Sequence, residues 1–345
     1  MQAKRAVSAS GARSERRQSV RTETKAGPLL RVGGSWTPAA SDLAHAARVL
    51  QVRSRREVAG ALAGGYQSAF HGGGIEFEES RPYAPGDDVR AIDWNALART
   101  GTAYVKHYRE ERDQTLLLLV DVSASMAFGS AGPAKGALAA RSAALLAAAA
   151  AAVGDRVALW TFDRALRREI EPGRGEAHGL RVLRALVEAA TPGEGGTALA
   201  PLLARVRERL TRRAIVFLLS DLRDDALLAR DAEGRRLGAA LAAVAQRHDL
   251  VAGSVVDPRE QALPPAGTLR VADPEAPGGG FLLASGSHRA RERYALAARA
   301  RERVVERRLR ADGADLVVLR TDADPLRTLG RFFAERAALR RGGRR

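Results

Sequence analysis

The chain contains no cysteine. A disulfide framework, a thiolate nucleophile and a thiolate metal centre are therefore excluded together. Histidine is scarce, with six residues in 345 and none at metal-ligand spacing, so zinc lacks its usual donors. Lysine is nearly absent: 4 of the 56 basic residues are Lys and 52 are Arg. With so much Ala, that skew has the look of GC-rich codon usage rather than of a surface built to read nucleic acid, and no reading motif is present. Long hydrophobic runs are missing too. The longest uncharged apolar stretch, Ser142–Val153, is Ala-rich and shorter than the ~20 residues of a membrane span, so no transmembrane segment is expected. The opening MQAKRAVSAS GARSERRQSV lacks the apolar core of a secretory signal and is not read as one. Gly72-Gly73-Gly74 is not followed by the Gly-Lys-Ser/Thr ending of a phosphate loop.

What is present begins with charge. The formal net charge is +16, and its distribution matters more than its size. Residues 1–27 carry seven Lys/Arg and two Glu, and residues 331–345 carry six Arg and one Glu. Ten of the sixteen charges thus sit at the two ends. Such ends hold polyanions only loosely and in a salt-dependent way. Residues 1–27 read as a disordered tail. With 46% apolar residues, the remainder can bury a core the size of one large domain with an extension, or of two ordinary ones.

The stretch that organises the rest is Leu116–Met126, LLLLVDVSASM. Its continuous apolar run reads as a strand buried on both faces, as in a parallel sheet covered by helices. Strand, helix and strand then alternate: Thr115–Val120, helix Ala134–Val153, Arg156–Phe162, a short edge strand at Arg168–Glu171, helices His178–Ala189 and Ala198–Leu210, and strand Ala214–Ser220. Helix 237–248, strand Leu250–Val256, a Pro/Gly-rich insertion over 257–280 with a hairpin at Phe281–Ala284, helix Ser287–Ala311, strand Asp315–Leu319 and helix Pro325–Leu339 follow. The expected fold is α/β, a doubly wound, mostly parallel sheet of order 3-2-1-4-5-6 with an N-terminal α+β extension. The expected divisions are a tail 1–27, an extension 28–113, a sheet domain 114–340 and a basic tail 341–345. Within the extension, Ala40–Gly60 has helical spacing.

Polar residues begin where the first strand ends. Asp121, Ser123 and Ser125 fall at its carboxyl edge, where open α/β sheets bind ligands. If strand Ala214–Ser220 lies beside it, Asp221 meets Asp121 at the topological switch point, and Thr197, in the turn before a helix, reaches the same crevice. Two carboxylates and three hydroxyls form a hard oxygen set suited to Mg2+, with Mn2+ second. The alternative is that Asp121 only caps its loop, with the serines bonding its backbone.

The block Ile75–Tyr108 is dense in both charge signs and in aromatics. It predicts a packed ion-pair network around Phe77, Tyr83 and Trp94, with a helix starting near Asp87 or Asp88 and a strand over Ala103–Tyr108. A paired-carboxylate acid/base site is the rival reading of the block.

Residues Gly74-x-Glu76-Phe77, Arg81-x-Tyr83-x-Pro85-Gly86-Asp87-Asp88-x-Arg90-x-Ile92-Asp93-Trp94 and Ala98-Arg99-Thr100 closely resemble the signature of the bacterial family called domain of unknown function 58. From about residue 114 to 340, the Asp121-x-Ser123-x-Ser125, Thr197 and Asp221 pattern resembles the metal-ion-dependent adhesion site of von Willebrand factor type A domains. The resemblances imply a cytoplasmic bacterial protein acting beside a MoxR-class AAA+ ATPase in chaperone-like maturation or assembly of client proteins. They imply adhesion rather than catalysis, with a cation at those five residues capturing an acidic side chain of a partner. Two rivals stand beside this reading. A haloacid dehalogenase-like phosphatase would use Asp121, Lys135, Asp221, Asp224 and Asp225, but its general acid two residues on is here Ser123. A basic scaffold would hold nucleic acid or anionic membrane through its Arg-rich ends.

Overall fold

The computed structural model describes residues 62–71, 76–85, 92–109, 114–130, 132–190, 193, 195–272, 275 and 281–342. In chain order the elements are helix α1 (Leu62–Phe70), strand β1 (Glu76–Pro82), α2 (Trp94–Thr100), β2 (Tyr104–Arg109), β3 (Thr115–Asp121), α3 (Lys135–Ala152), β4 (Arg156–Phe162) and β5 (Leu166–Gly173). There follow α4 (Glu176–Ala189), α5 (Leu199–Arg209), β6 (Ile215–Ser220), α6 (Ala232–Arg247), β7 (Asp249–Val256) and the single turn α7 (Pro258–Gln261). The chain ends with β8 (Thr268–Val271), β9 (Phe281–Ala284), α8 (His288–Ala311), β10 (Asp315–Arg320) and α9 (Pro325–Gly342).

The central sheet has the order β10-β7-β6-β3-β4-β5. All its pairings are parallel except β4 with β5. β3 is buried from Leu116 to Asp121, and alternate side chains feed opposite faces. Leu116, Leu118 and Val120 join a core built with α1, α3, α4 and α9. Leu117 and Leu119 join a second core with α5, α6 and α8. The uninterrupted leucine run is therefore what a strand between two helical layers requires.

α3 has 18 residues and is apolar enough in length and composition to cross a membrane. It is nonetheless the core helix, with alanines such as Ala139, Ala143 and Ala150 buried in the first core. Having no side chain beyond Cβ, those alanines let its axis approach the sheet closely. α1, expected in the extension, belongs to the same core: Leu62, Tyr66, Ala69 and Phe70 are buried, and Tyr66 and Phe70 meet Phe333 of α9 edge-on with ring centroids 5.9 and 5.6 Å apart. The sheet domain thus recruits chain from before residue 114. The expected helix Ala40–Gly60 and tail 1–27 lie outside the described residues.

The block before β3 differs from expectation. β1 and β2 pair antiparallel as a separate two-stranded sheet. A helix starts at Trp94, where Asp93 accepts from the backbone N–H of Asn95 and Ala96, both at 3.1 Å; the helix start expected near Asp87 or Asp88 lies outside the described residues. Trp94 is 60% exposed and Tyr83 36%; most charged side chains of the expected ion-pair network lie outside the described residues. α6 begins five residues before position 237, capped by Asp231 through the N–H groups of Glu233 and Gly234. The insertion hairpin forms as β8 with β9.

α1 is tied to the sheet by a buried polar contact. Asp155, just before β4, accepts from Tyr66 Oη at 3.0 Å and lies 2.9 Å from His71 Nε2. Among the described residues its Oδ1 has no hydrogen-bond partner, so Tyr66 and His71, both on Oδ2, carry the side-chain satisfaction of the carboxylate. Tyr66→Phe is expected to destabilise the protein by about 1–3 kcal/mol, read as a lowered denaturation midpoint. An unchanged midpoint would mean that α1 docks by its apolar face alone.

Candidate functional site

β3, β4 and β6 are neighbours in the sheet, and the polar loops leave from their carboxyl ends. Asp121 is the last residue of β3 and is fully buried. Its Oδ1 accepts the Ser123 N–H at 2.8 Å, which turns the chain sharply off the strand. Ser125 lies in the 3-10 turn Ala124–Ala127 that follows, and its hydroxyl is 3.1 Å from that of Ser123. Thr197 Oγ1 donates to Asp121 Oδ2 at 3.0 Å.

Thr197 arrives from a distant stretch because its loop is stitched to the loop of β3. Gly193 N–H donates to Val122 O at 2.6 Å, and Ala124 N–H donates to Gly195 O at 2.8 Å. At Gly195 an added Cβ would stand 2.9 Å from Oδ2 of the buried Asp163 and would press on that carboxylate. Four of the five residues singled out in the sequence thus converge around one carboxylate.

Asp221, the fifth, follows β6 and is close enough for its charge to act on Asp121. Its own oxygens face elsewhere. Oδ2 accepts from Lys135 Nζ at 2.6 Å, and Oδ1 takes the Arg223 N–H at 3.3 Å. Lys135 also donates to Glu260 Oε1 at 2.7 Å, and Arg223 donates to the same oxygen at 3.0 Å. Lys135 is the first residue of α3 and is fully buried. An ammonium there opposes the helix dipole, and the two carboxylates offset the cost of burying it.

Ser220 and Glu260 belong to this network although no motif in the sequence singles them out as site residues. Ser220 Oγ donates to Asp121 Oδ2 at 2.5 Å and accepts the Leu222 N–H at 3.0 Å; a hydroxyl closing the apolar strand AIVFLL was the available signal. Lys135, which the sequence offers only to a phosphatase, bridges Asp221 and Glu260. Glu260 sits in the capping box of α7 with Asp257, a signature legible as Asp-Pro-x-Glu but submerged in an apparent insertion. Among the described residues, Leu222 is the only one other than glycine with positive φ, at 57°.

Electrostatics follow from burial. The Asp121 carboxyl is pushed up to about 6, first by desolvation and then by the Asp221 charge, against the lowering effect of Ser220 and Ser123. Counting formal charges, Asp121, Asp221 and Glu260 outnumber Lys135 and Arg223 by one. Lys135 and Asp224, the residues that a phosphatase reading also names, have structural partners here. Lys135 is an ion bridge, and Asp224 caps two backbone segments by accepting from Leu199 N–H at 2.8 Å and Ala226 N–H at 2.9 Å.

No cluster of three or more His, Cys, Asp or Glu able to hold a metal occurs among the described residues. A cation here would depend on hydroxyls. The donor chemistry fits a small hard divalent ion: one buried carboxylate, with the hydroxyls of Ser123, Ser125 and Thr197 gathered beside it. Asp221, already engaged by Lys135, contributes its charge rather than a free oxygen.

A family model described as "Protein of unknown function DUF58" matches residues 79–304. The chain is 34% identical over 297 residues to "Uncharacterized protein Mb1516" of Mycobacterium bovis, covering 85% of this chain and 90% of that protein. The same figures hold for "Uncharacterized protein Rv1480" of Mycobacterium tuberculosis. Among solved structures, BatB from Bacteroides thetaiotaomicron is similar at 15% identity and a TM-score of 0.39, covering 65% of this chain and 99% of that one. An aerotolerance-related membrane protein from Bacteroides fragilis is similar at 11% identity and 0.38, covering 66% and 99%.

The raised Asp121 titration has a signed consequence for the cation-free protein. Protonation favours folding here, so the contribution is complete below about pH 4 and is lost as the pH rises through about 6. In EDTA near pH 7, Asp121→Asn is expected to stabilise the fold by about 1–3 kcal/mol, with the gain vanishing towards about pH 4. Parallel thermal melts of the two proteins across that range check it. Equal stabilities throughout would show that the carboxylate is solvated well enough to ionise freely.

Proposed function

The chain belongs to the DUF58 family, and we propose that within it this protein is a metal-dependent protein-interaction module rather than an enzyme. The observation that carries the reading is the convergence of Asp121, Ser123, Ser125 and Thr197 around one buried carboxylate at the sheet's carboxyl edge. The sheet order supports a von Willebrand factor A-like reading: numbered from β3 and leaving out the β8–β9 hairpin, it runs 3-2-1-4-5-6.

Charge bookkeeping supports capture of an acid. The network holds one negative formal charge more than its cations balance. A Mg2+ ion, or Mn2+ in second place, would reverse that to one positive charge and supply a Lewis-acidic centre. A single carboxylate from a partner then restores neutrality. The chain's own residues do the rest. Asp121 and the three hydroxyls hold the cation's place, while Lys135 keeps Asp221 from neutralising it outright. The partner class is an acidic side chain on a client protein, presented in the cytoplasm with a MoxR-class AAA+ ATPase supplying the work of ATP hydrolysis.

The test is affinity capture with the immobilised full chain in Mg2+, in EDTA, and with Asp121→Asn in Mg2+. The expected outcome is a set of partners, including a MoxR-class ATPase, that is retained only by the first. Partners held equally well in EDTA would overturn the reading. Release of phosphate from an artificial phosphate ester by the wild type, lost in Asp121→Asn, would favour the phosphatase instead.

A further inference from the structure

The outer face of α8 is cationic along most of its length. The helix has 24 residues, of which only Val305 and Leu309 are buried, and it carries nine Arg against three Glu. At about 100° per residue, Val305 and Leu309 set the inward side. Arg289, Arg293, Arg299, Arg303 and Arg307 fall on the side turned away, and all five are exposed. The ion pairs of α8 belong to other residues: Arg301 with Asp225, Arg308 with Asp312 and Arg310 with Glu306. Among the described residues none of the five has a carboxylate within ion-pair distance. The acids of the helix do little to offset them. Glu306 is held by Arg310 at 2.8 Å and Glu302 by Gln261 at 2.7 Å, which leaves Glu292, beside His288, to oppose five guanidiniums.

The face is not purely ionic. Leu296 stands in the middle of the row, 59% exposed, with Arg293 and Arg299 three positions to either side and Arg289 and Arg303 seven. β9, which leads into the helix, leaves Phe281 59% and Leu282 72% exposed. Its end is fastened to α8 by Arg291, which donates to Ser285 O at 2.7 Å and to Gly286 O at 3.0 Å. A partner must therefore supply negative charge spread over roughly 27 Å, the length from Arg289 to Arg307, together with a place for aliphatic and aromatic side chains. A nucleic acid meets the first requirement and not the second. An acidic protein would need a matched row of carboxylates around an apolar socket. An anionic bilayer offers a continuous plane of phosphates, which guanidinium groups bind in bidentate fashion, over an apolar interior.

We propose that the outer face of α8, with the β8–β9 hairpin, is a docking surface for an anionic phospholipid bilayer. The arginines lie along the headgroup phosphates and Leu296 enters the interfacial zone between them. The surface works independently of Asp121 and needs no metal ion.

The experiment sediments the full chain, in EDTA at physiological salt, with vesicles of phosphatidylcholine alone or of equal parts phosphatidylcholine and phosphatidylglycerol. The chain is expected to pellet with the second kind only. Arg293→Gln combined with Arg303→Gln is expected to weaken binding about thirtyfold, since each arginine near such a surface contributes about fivefold. Leu296→Ser is expected to weaken it about fivefold. These side chains are exposed, so unchanged melting midpoints are expected to accompany the losses. Arg16→Gln combined with Arg17→Gln, in the basic stretch 1–27, is the control and is expected to lose far less. Equal pelleting with both kinds of vesicle, or a control pair that loses as much as the helix pair, would overturn the proposal. Absence of pelleting with the anionic vesicles would overturn it in favour of an acidic protein. Retention of a DNA duplex through Arg293 and Arg303, with Leu296→Ser without effect on duplex or vesicles, would overturn it in favour of nucleic acid.

Discussion

A carboxylate withdrawn from water at the end of a strand has to be satisfied by whatever can reach it, and this constraint governs the carboxyl edge of the sheet. Asp121 receives its own loop through Ser123, the loop before α5 through Thr197, and the end of the neighbouring strand through Ser220. Three segments separated by as many as 99 positions are drawn together by one side chain. The same edge carries a second buried acid, Asp221, which cannot be left near the first without a counter-ion. Lys135 provides it from the head of α3. The two acids are thereby given different environments, one among hydroxyls and one among cations, and the difference is what makes a site rather than a simple ion pair.

The scaffold holds this arrangement still. β3 is covered on both faces, so its end cannot drift without opening two cores at once. A parallel arrangement also dictates that the ends of β3 and β6, with the loops that follow, lie on one edge. Away from Asp121, Asp257 plays a comparable part at the end of β7. It takes hydrogen bonds from Ser130 and from Thr321 at 2.8 Å, and so binds the loop after β3 to the loop after β10. Burial works against its charge, but these bonds prevail and hold its carboxyl below the usual range.

Much of this was legible in the chain because parallel sheets write themselves as leucine and valine runs that end in polar residues. β3, β4, β6 and β7 all announced themselves so, and Asp121, Ser123 and Ser125 could be placed by counting from the strand. Thr197 was legible only as a turn residue; its placement depends on backbone hydrogen bonds from Gly193 and to Gly195 that no pattern encodes. Lys135 and Glu260 were opaque for a different reason. Their partnership spans 125 positions, and each had a local explanation that concealed it, the one as helix start and the other as a residue in a loop. The exposure of Trp94 was misjudged because an aromatic among charges reads as an anchor, whereas here it opens a short helix that has no buried residues.

The turn that carries the chain out of β6 lies in a backbone region that costs a branched residue such as Leu222 about 1–2 kcal/mol. Two things hold it there: the leucine side chain sunk in the second core, and a single hydroxyl, Ser220 Oγ, which takes the turn's N–H while giving its only proton to Asp121. The bend therefore behaves as a sprung clasp. One oxygen atom joins the tension in the peptide to the acid at the sheet's edge, so neither can be reshaped in isolation from the other.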